Sequence, residues 1–161
     1  MSKKLDELTR KDLLRDVDRV TQRRSSDLPG RARYKGIHTD YTLEMEVPSS
    51  DNKGSYTVSI QMVEYPELAP LEDLMVDEKV RLAMDGDLRI SCTCPAFQFW
   101  GFAYITTQLS AKKGEDEDIF PEIRNPRLVG VMCKHCYKAV KSFGSNWLAI
   151  TRDIEKDRYL R

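Results

Sequence analysis

Residues 87–108 read DLRISCTCPAFQFWGFAYITTQ, and residues 131–140 read VMCKHCYKAV. All the cysteines of the chain lie in these two stretches: Cys92, Cys94, Cys133 and Cys136. Leu88, Ile90 and Cys92 alternate with other residues, which predicts a strand that ends with two cysteine side chains on one face. Pro95 suits the first turn of a following helix, and a second helix is predicted to begin at Cys133. The fold is therefore expected to form around these cysteines.

The spacing of the cysteines favours a metal site over a disulfide. The chain shows no export signal, and a reducing compartment keeps thiols from pairing. A bridge across Cys92-Thr93-Cys94 would also distort the backbone, because extended residues at this spacing lie near the upper limit of disulfide reach. Zn²⁺ takes four tetrahedral nitrogen or sulfur ligands, which a strand end and a helix start can supply together. We therefore predict a structural zinc ion, with reduced cysteines packed in the core as the alternative.

The fourth ligand of this zinc is not fixed by spacing. Cys133 with His135 gives the pattern C-x-C…C-x-H, whereas Cys133 with Cys136 gives C-x-C…C-x-x-C. Each pattern supplies four ligands and leaves one residue spare. Both alternatives stay open on the residues alone.

Cys92-Thr93-Cys94-Pro95 and Cys133-Lys134-His135 resemble the SWIM zinc finger, whose C-x-C and C-x-H pairs lie on a β-hairpin followed by a helix. The resemblance covers about residues 80–141. It implies that Cys92, Cys94, Cys133 and His135 bind zinc and that Cys136 is a packing residue. The 38 residues between Cys94 and Cys133 are more than the usual spacer of that family. The aromatic helix and acidic loop between the two pairs then form an insertion.

The resemblance also implies a function. SWIM fingers bind DNA or protein in transposases, helicase-associated proteins and ubiquitin-ligase-related proteins. The longer stretches CPAFQFWGFAYITTQ and IRNPRLVGVMCKH are similar to small SWIM-type proteins of tailed bacteriophages, some of which are particle components. The resemblance thus implies a structural protein of a bacteriophage virion, in the head, neck, tail or baseplate, that docks onto other subunits. A nucleic-acid-binding SWIM protein is the alternative.

Two antiparallel hairpins are predicted to complete an α+β fold. YTLEMEV and SYTVSIQMVEY alternate apolar and polar residues around the turn-rich PSSDNKG, which indicates the first hairpin. In KVRLAMDGDLRISCTC, alternating residues flank Asp85-Gly86 and predict a second hairpin that carries Cys92 and Cys94. The helix that starts at Cys133 is expected to be interrupted near Gly144.

The first 36 residues are predicted to be an N-terminal helix and basic arm, separate from a zinc-binding domain over residues 37–161. Residues 4–20 are predicted to be an amphipathic helix, and residues 22–36 a linker or arm with Pro29 and no periodicity. The apolar stripe of the helix is expected to dock onto a partner: Leu5, Leu8, Leu13 and Val17.

The formal net charge is zero, but charge is segregated along the chain. Residues 1–36 carry a net charge of +5, residues 37–90 carry −8 and residues 91–161 carry +3. Such alternation favours contacts between protein subunits, whereas a dedicated nucleic-acid binder is typically basic throughout. No leader or apolar run of about 18 to 20 residues is present, so we expect a protein of the virion or cytoplasm that is neither secreted nor membrane-bound.

The aromatic residues after Pro95 do not keep to one helical stripe. One side of the helix is expected to face the zinc core. The other side is covered either by the N-terminal helix and the hairpin of residues 41–65 or by protein partners, and the predicted partner face consists of Phe99, Trp100 and Phe102. Single-stranded nucleic acid is a less favoured ligand, because no lysine or arginine occurs between Arg89 and Lys112. No nucleotide-binding loop or carboxylate pair points to catalysis, so a non-enzymatic role is predicted.

Overall fold

The computed structural model describes residues 9–160. It has a mixed α+β fold in which a four-stranded antiparallel sheet has the order β1-β2-β3-β4. The strands are β1 (Arg33–Ile37), β2 (Thr42–Pro48), β3 (Ser55–Met62) and β4 (Leu88–Cys92). The helices are α1 (Arg10–Arg15), α2 (Arg19–Ser26), α3 (Tyr65–Leu68), α4 (Val76–Asp85), α5 (Pro95–Phe99), α6 (Phe102–Gln108), α7 (Lys134–Phe143) and α8 (Trp147–Lys156). The predicted α+β class is confirmed.

The first predicted hairpin is formed by β2 and β3. Leu43 lies opposite Ile60, and Met45 lies opposite Val58. These side chains are fully buried, because alternate residues of both strands face the core. The connecting turn is closed by the Ser49 hydroxyl, which donates to the Asp51 carboxylate at 2.6 Å. The period-2 pattern therefore predicted this hairpin correctly.

The second predicted hairpin is wrong, since residues 76–85 form helix α4 and β4 pairs with β3 instead. Val80, Ala83 and Met84 are buried at helical spacing. Leu82, which the strand pattern placed on the same side as Val80, is 51% exposed. A short alternation of apolar residues thus matched a strand by chance, whereas the longer helical pattern determined the structure.

The N-terminal region forms two short helices where one was predicted, and part of it forms a strand. The Asp18 carboxylate accepts the backbone N–H of Thr21 at 3.0 Å and its hydroxyl at 2.6 Å, so a new helix begins there. α2 packs on α7, and β1 pairs with β2, where a linker was predicted. Leu13 and Val17 are buried in the core, while Leu5 and Leu8 lie outside the described residues.

The helix predicted after Cys94 is divided into α5 and α6 at Gly101. Gly101 has φ +90°, and a Cβ there would lie 2.6 Å from Pro121 Cγ. Glycine is thus required both by the backbone conformation and by the close approach of the following loop. The predicted interruption near Gly144 is confirmed, because a 3-10 turn over Gly144–Asn146 separates α7 from α8. Among the residues described, no helix has the length and apolar character of a membrane span.

Candidate metal centre

The predicted ligands lie where three elements begin or end. Cys92 is the last residue of β4, Cys94 is the N-cap of α5, and Cys133 is the N-cap of α7. The end of β4 is fixed to β3, since the Thr93 hydroxyl oxygen accepts the Thr57 N–H at 3.0 Å. The sheet edge therefore brings the C-x-C pair to the start of the helix that carries the second pair.

The ligand atoms of Cys92, Cys94, Cys133 and His135 all lie within 4.8 Å of one another, and all four residues are buried. Tetrahedral coordination with Zn–S bonds of about 2.3 Å separates two sulfur ligands by roughly 3.8 Å. The cluster is thus close to the size that one metal ion requires. The predicted quartet is brought together across the 38 residues that separate its two pairs, and it can hold a metal ion.

Within the described part of the chain, the imidazole of His135 is buried without hydrogen bonds, which fits a residue that binds a metal ion. Both of its ring nitrogens are buried without a hydrogen-bond partner among the described residues. Such unsatisfied groups are rare, because each one loses its bonds to water without replacement. The ring is packed edge-on against Tyr56, with 4.8 Å between the ring centroids. A metal ion bonded to one imidazole nitrogen would remove part of this penalty.

Backbone N–H groups point at three of the sulfur atoms. Cys94 N–H donates to Cys92 Sγ at 3.4 Å, and Phe97 N–H donates to Cys94 Sγ at 3.3 Å. Cys136 N–H donates likewise to Cys133 Sγ at 3.4 Å. Hydrogen bonds to sulfur favour its charged form, and the thiolate is the form that binds metal. The local backbone therefore supports the chemistry of a thiolate site.

The crowding of thiols opposes ionisation unless a cation is present. The pKa of Cys94 is raised to about 12, first by its hydrogen bond with Cys133 and further by burial. Burial raises the pKa of Cys136 well above its ordinary value. Several thiolates in one buried site repel each other, so a divalent cation is the group that would stabilise them together. Binding such a cation would release protons from these thiols.

Cys136 is the spare residue of the two candidate patterns. It is fully buried in the hydrophobic core on α7, beside Cys133. The four-residue cluster contains His135 in its place. Its backbone N–H supports Cys133, so this residue contributes to the site even where its sulfur does not bind the metal.

A cavity of about 350 Å³ opens beside the cluster and is bordered by Cys94, Cys133 and His135. Trp100 and Phe102 form part of its wall. Of the predicted interface aromatics, Phe99 is 70% exposed and Trp100 is 40% exposed, whereas Phe102 is half-buried against the core. The neighbouring Phe97 is buried.

Sequence reasoning missed the apolar residues that follow the acidic run. Ile119 is 78% exposed, Ile123 is 90% exposed and Val129 is 54% exposed. The signal was present in the sequence, since EDEDIFPEI places bulky apolar residues directly among carboxylates. The prediction for this stretch is only an acidic loop within the insertion.

Comparison of the chain with protein-family models, with curated proteins and with solved structures found no match. The resemblance to SWIM zinc fingers therefore rests on the ligand pattern, and the structure adds the spatial cluster formed by that pattern.

Proposed function

We propose that the chain is a non-enzymatic assembly protein, stabilised by a structural zinc ion, that docks onto protein partners. The observation that carries the proposal is the buried cluster of Cys92, Cys94, Cys133 and His135 within 4.8 Å. Four protein ligands fill a tetrahedral zinc shell, whereas catalytic zinc sites keep one position for water or substrate. A shell closed in this way favours a structural role.

Zinc fits this ligand set better than other common cations. Soft thiolates with one imidazole select zinc, while calcium and magnesium prefer oxygen ligands. Three thiolates and a neutral imidazole on Zn²⁺ carry a net charge of −1, and Lys134 lies next to two of the ligands in sequence. The ion would tie the end of β4 to the starts of α5 and α7. It would therefore hold the insertion at both of its ends.

The docking role is supported by the exposed aromatic residues beside the cluster. Phe99 and Trp100 lie on the surface within a few residues of the ligand Cys94. Contiguous exposed apolar surface is typical of protein interfaces. The resemblance to small bacteriophage proteins gives the virion as the expected assembly, with other subunits as partners.

Two experiments test the proposal: metal analysis of the purified protein and co-sedimentation of the tagged protein with particles. Protein purified under reducing conditions without chelator is expected to contain one equivalent of zinc. Tagged protein is then expected to co-sediment with assembled particles from the native or infected cells, at a fixed ratio to a major particle protein. Absence of zinc would overturn the structural role, and sedimentation at the size of the free chain would overturn the assembly role.

Nucleic-acid binding is the second candidate, and one surface favours it. Arg19, Arg23 and Arg24 are exposed on α2, and Arg24 borders the cavity beside the cluster. A protein that neutralises phosphates loses affinity steeply as salt increases. The test is binding of an oligonucleotide at increasing salt, with the variant Arg19→Gln/Arg23→Gln/Arg24→Gln for comparison. If the affinity falls with salt and the variant does not bind, nucleic-acid binding would replace the docking proposal.

A further inference from the structure

The insertion between the two ligand pairs carries a concentrated apolar surface, which we call the insertion patch. Its side chains are large and exposed: Phe99, Trp100, Ile119, Phe120 and Ile123. They come from α5 and from the loop that precedes Cys133. Soluble chains rarely leave such residues together in water unless another surface covers them.

The insertion patch is built on a defined scaffold. Pro121 packs directly on Gly101, and the Phe120 ring lies edge-on to Tyr104 with 5.6 Å between centroids. The Thr107 hydroxyl oxygen accepts the backbone N–H of Glu117 at 2.9 Å. A groove of about 770 Å³ lies between α5, α6 and this loop. The loop is thus packed through some of its side chains while the rest are exposed.

Charge around the insertion patch identifies what can cover it. Between residues 115 and 124 there are five carboxylates and one arginine, which gives a net charge of −4. That arginine, Arg124, lies over the Trp100 ring, 5.6 Å from its centroid. The acidic surface would repel nucleic-acid phosphates and anionic lipid headgroups. A protein surface that combines basic and apolar side chains is the complementary partner.

Within residues 9–160, a second copy of this chain offers a poor match for the insertion patch. Two such patches face to face would bring two acidic loops together, and like charges oppose such a contact. The exposed basic surface on α2 offers Arg19, Arg23 and Arg24, but only Val20 as a large exposed apolar residue. That surface would leave most of the apolar side chains of the patch in water. The charge and the apolar content together therefore favour a different protein.

We infer that the insertion patch is the docking site for a protein segment in which lysine or arginine residues alternate with bulky apolar ones. The inference rests on the proposed docking function and names its surface and the chemistry of its partner. Apolar contacts would supply most of the affinity, and the carboxylates would select the partner and speed its approach. The metal centre would act only by holding the ends of the insertion.

The probe is a fluorescently labelled amphipathic peptide of lysine and leucine, and its binding is measured by anisotropy with the zinc-loaded full chain. Ile119→Ser/Ile123→Ser is expected to weaken binding at least about tenfold, as loss of central interface residues does. Met75→Ser/Leu148→Ser is the matched control, because both residues are exposed apolar residues elsewhere. The control is expected to bind as the wild type does.

A second variant tests the contribution of charge by replacing exposed acids of the loop: Glu115→Gln/Asp116→Asn/Asp118→Asn. We expect weaker binding at low salt and little difference at high salt, since salt screens exposed charges. The matched control replaces exposed acids near α3: Glu67→Gln/Glu72→Gln/Asp73→Asn. A version of the peptide with glutamate in place of lysine is expected not to bind.

Several outcomes would overturn the inference. One is equal binding by the patch variants and their controls, and another is no binding of the peptide by the wild type. Concentration-dependent dimerisation that Ile119→Ser/Ile123→Ser abolishes would assign the patch to a second copy instead. The zinc content of each variant is measured in parallel. Normal zinc with no peptide binding would reject the inference alone, whereas absent zinc in the wild type would reject the proposed function.

Discussion

The metal centre and the insertion patch are neighbours along the chain but differ in their exposure to solvent. Cys94, Cys133 and His135 are nearly inaccessible to solvent, and their polar atoms point at one another. Ile119 and Ile123 are mostly in water, although they lie in the same connection of the chain. This difference in exposure suggests that the ligand pairs and the residues between them have different roles. Under the proposed function, the ligands would stabilise the fold by holding the metal, and the intervening residues would be available for a partner.

Removal of the metal is expected to have the largest effect, and it acts on the buried region. Metal binding in small zinc sites contributes on the order of 10 kcal/mol to folding. Addition of a strong chelator should therefore lower the midpoint of thermal unfolding greatly, and zinc should restore it. Ile119→Ser/Ile123→Ser should unfold like the wild type in both conditions. A chelated protein with unchanged unfolding would remove the distinction between the two regions.

The choice of the fourth ligand gives the next effect. His135→Ala is expected to lose stoichiometric zinc, because it removes one ligand of the four-residue cluster. Cys136→Ser is expected to keep zinc and to lose about 1 to 3 kcal/mol of unfolding free energy, since it places a hydroxyl group in a buried position. Metal analysis and denaturant unfolding measure the two quantities. The reverse pattern of zinc loss would establish a four-cysteine site and weaken the resemblance to SWIM fingers.

How far the sequence predicted these regions depends on whether a signal is local. The ligands of each pair, Cys92 with Cys94 and Cys133 with His135, are two residues apart, so a metal site was predictable from the sequence. Spacing alone left His135 and Cys136 as alternatives, and only the resemblance to SWIM fingers favoured His135.

The apolar character of Leu13 and Val17 predicted that they would be covered, but it does not say whether the chain's own core or another protein covers them. The boundary at Asp18 depends on a helix cap, in which the Asp18 carboxylate accepts the Thr21 N–H. The spacing of apolar residues does not show that a new helix begins at such a cap.

The third prediction concerns Gly101, which lies at the turn between α5 and α6 within the insertion. Gly101→Ala is expected to destabilise the chain by about 1 to 3 kcal/mol, because the residue has positive φ and its Cβ would clash with Pro121. Gly54→Ala is the matched control, since a Cβ there meets no atom within 4 Å. Denaturant unfolding measures both variants. If Gly101→Ala behaved as Gly54→Ala does, Pro121 would not be packed on the α5–α6 turn, and the scaffold of the insertion patch would be in doubt.

The smallest expected effect concerns the loop just before Cys133. The Asn125 amide donates to the Val129 carbonyl at 3.0 Å and accepts the Val129 N–H at 2.9 Å. Asn125→Ala removes both bonds at an exposed position, so we expect a loss of about 1 kcal/mol with unchanged zinc content. Hydrogen exchange at the Val129 amide should become faster, while exchange at the Cys136 amide, which donates to Cys133 Sγ, should not change. Gln108→Ala, which removes an exposed amide from α6, should leave both rates as they are in the wild type. Faster exchange at Cys136 in Asn125→Ala would show that the loop and the metal centre open together, and the two regions would then have to be treated as one cooperative unit.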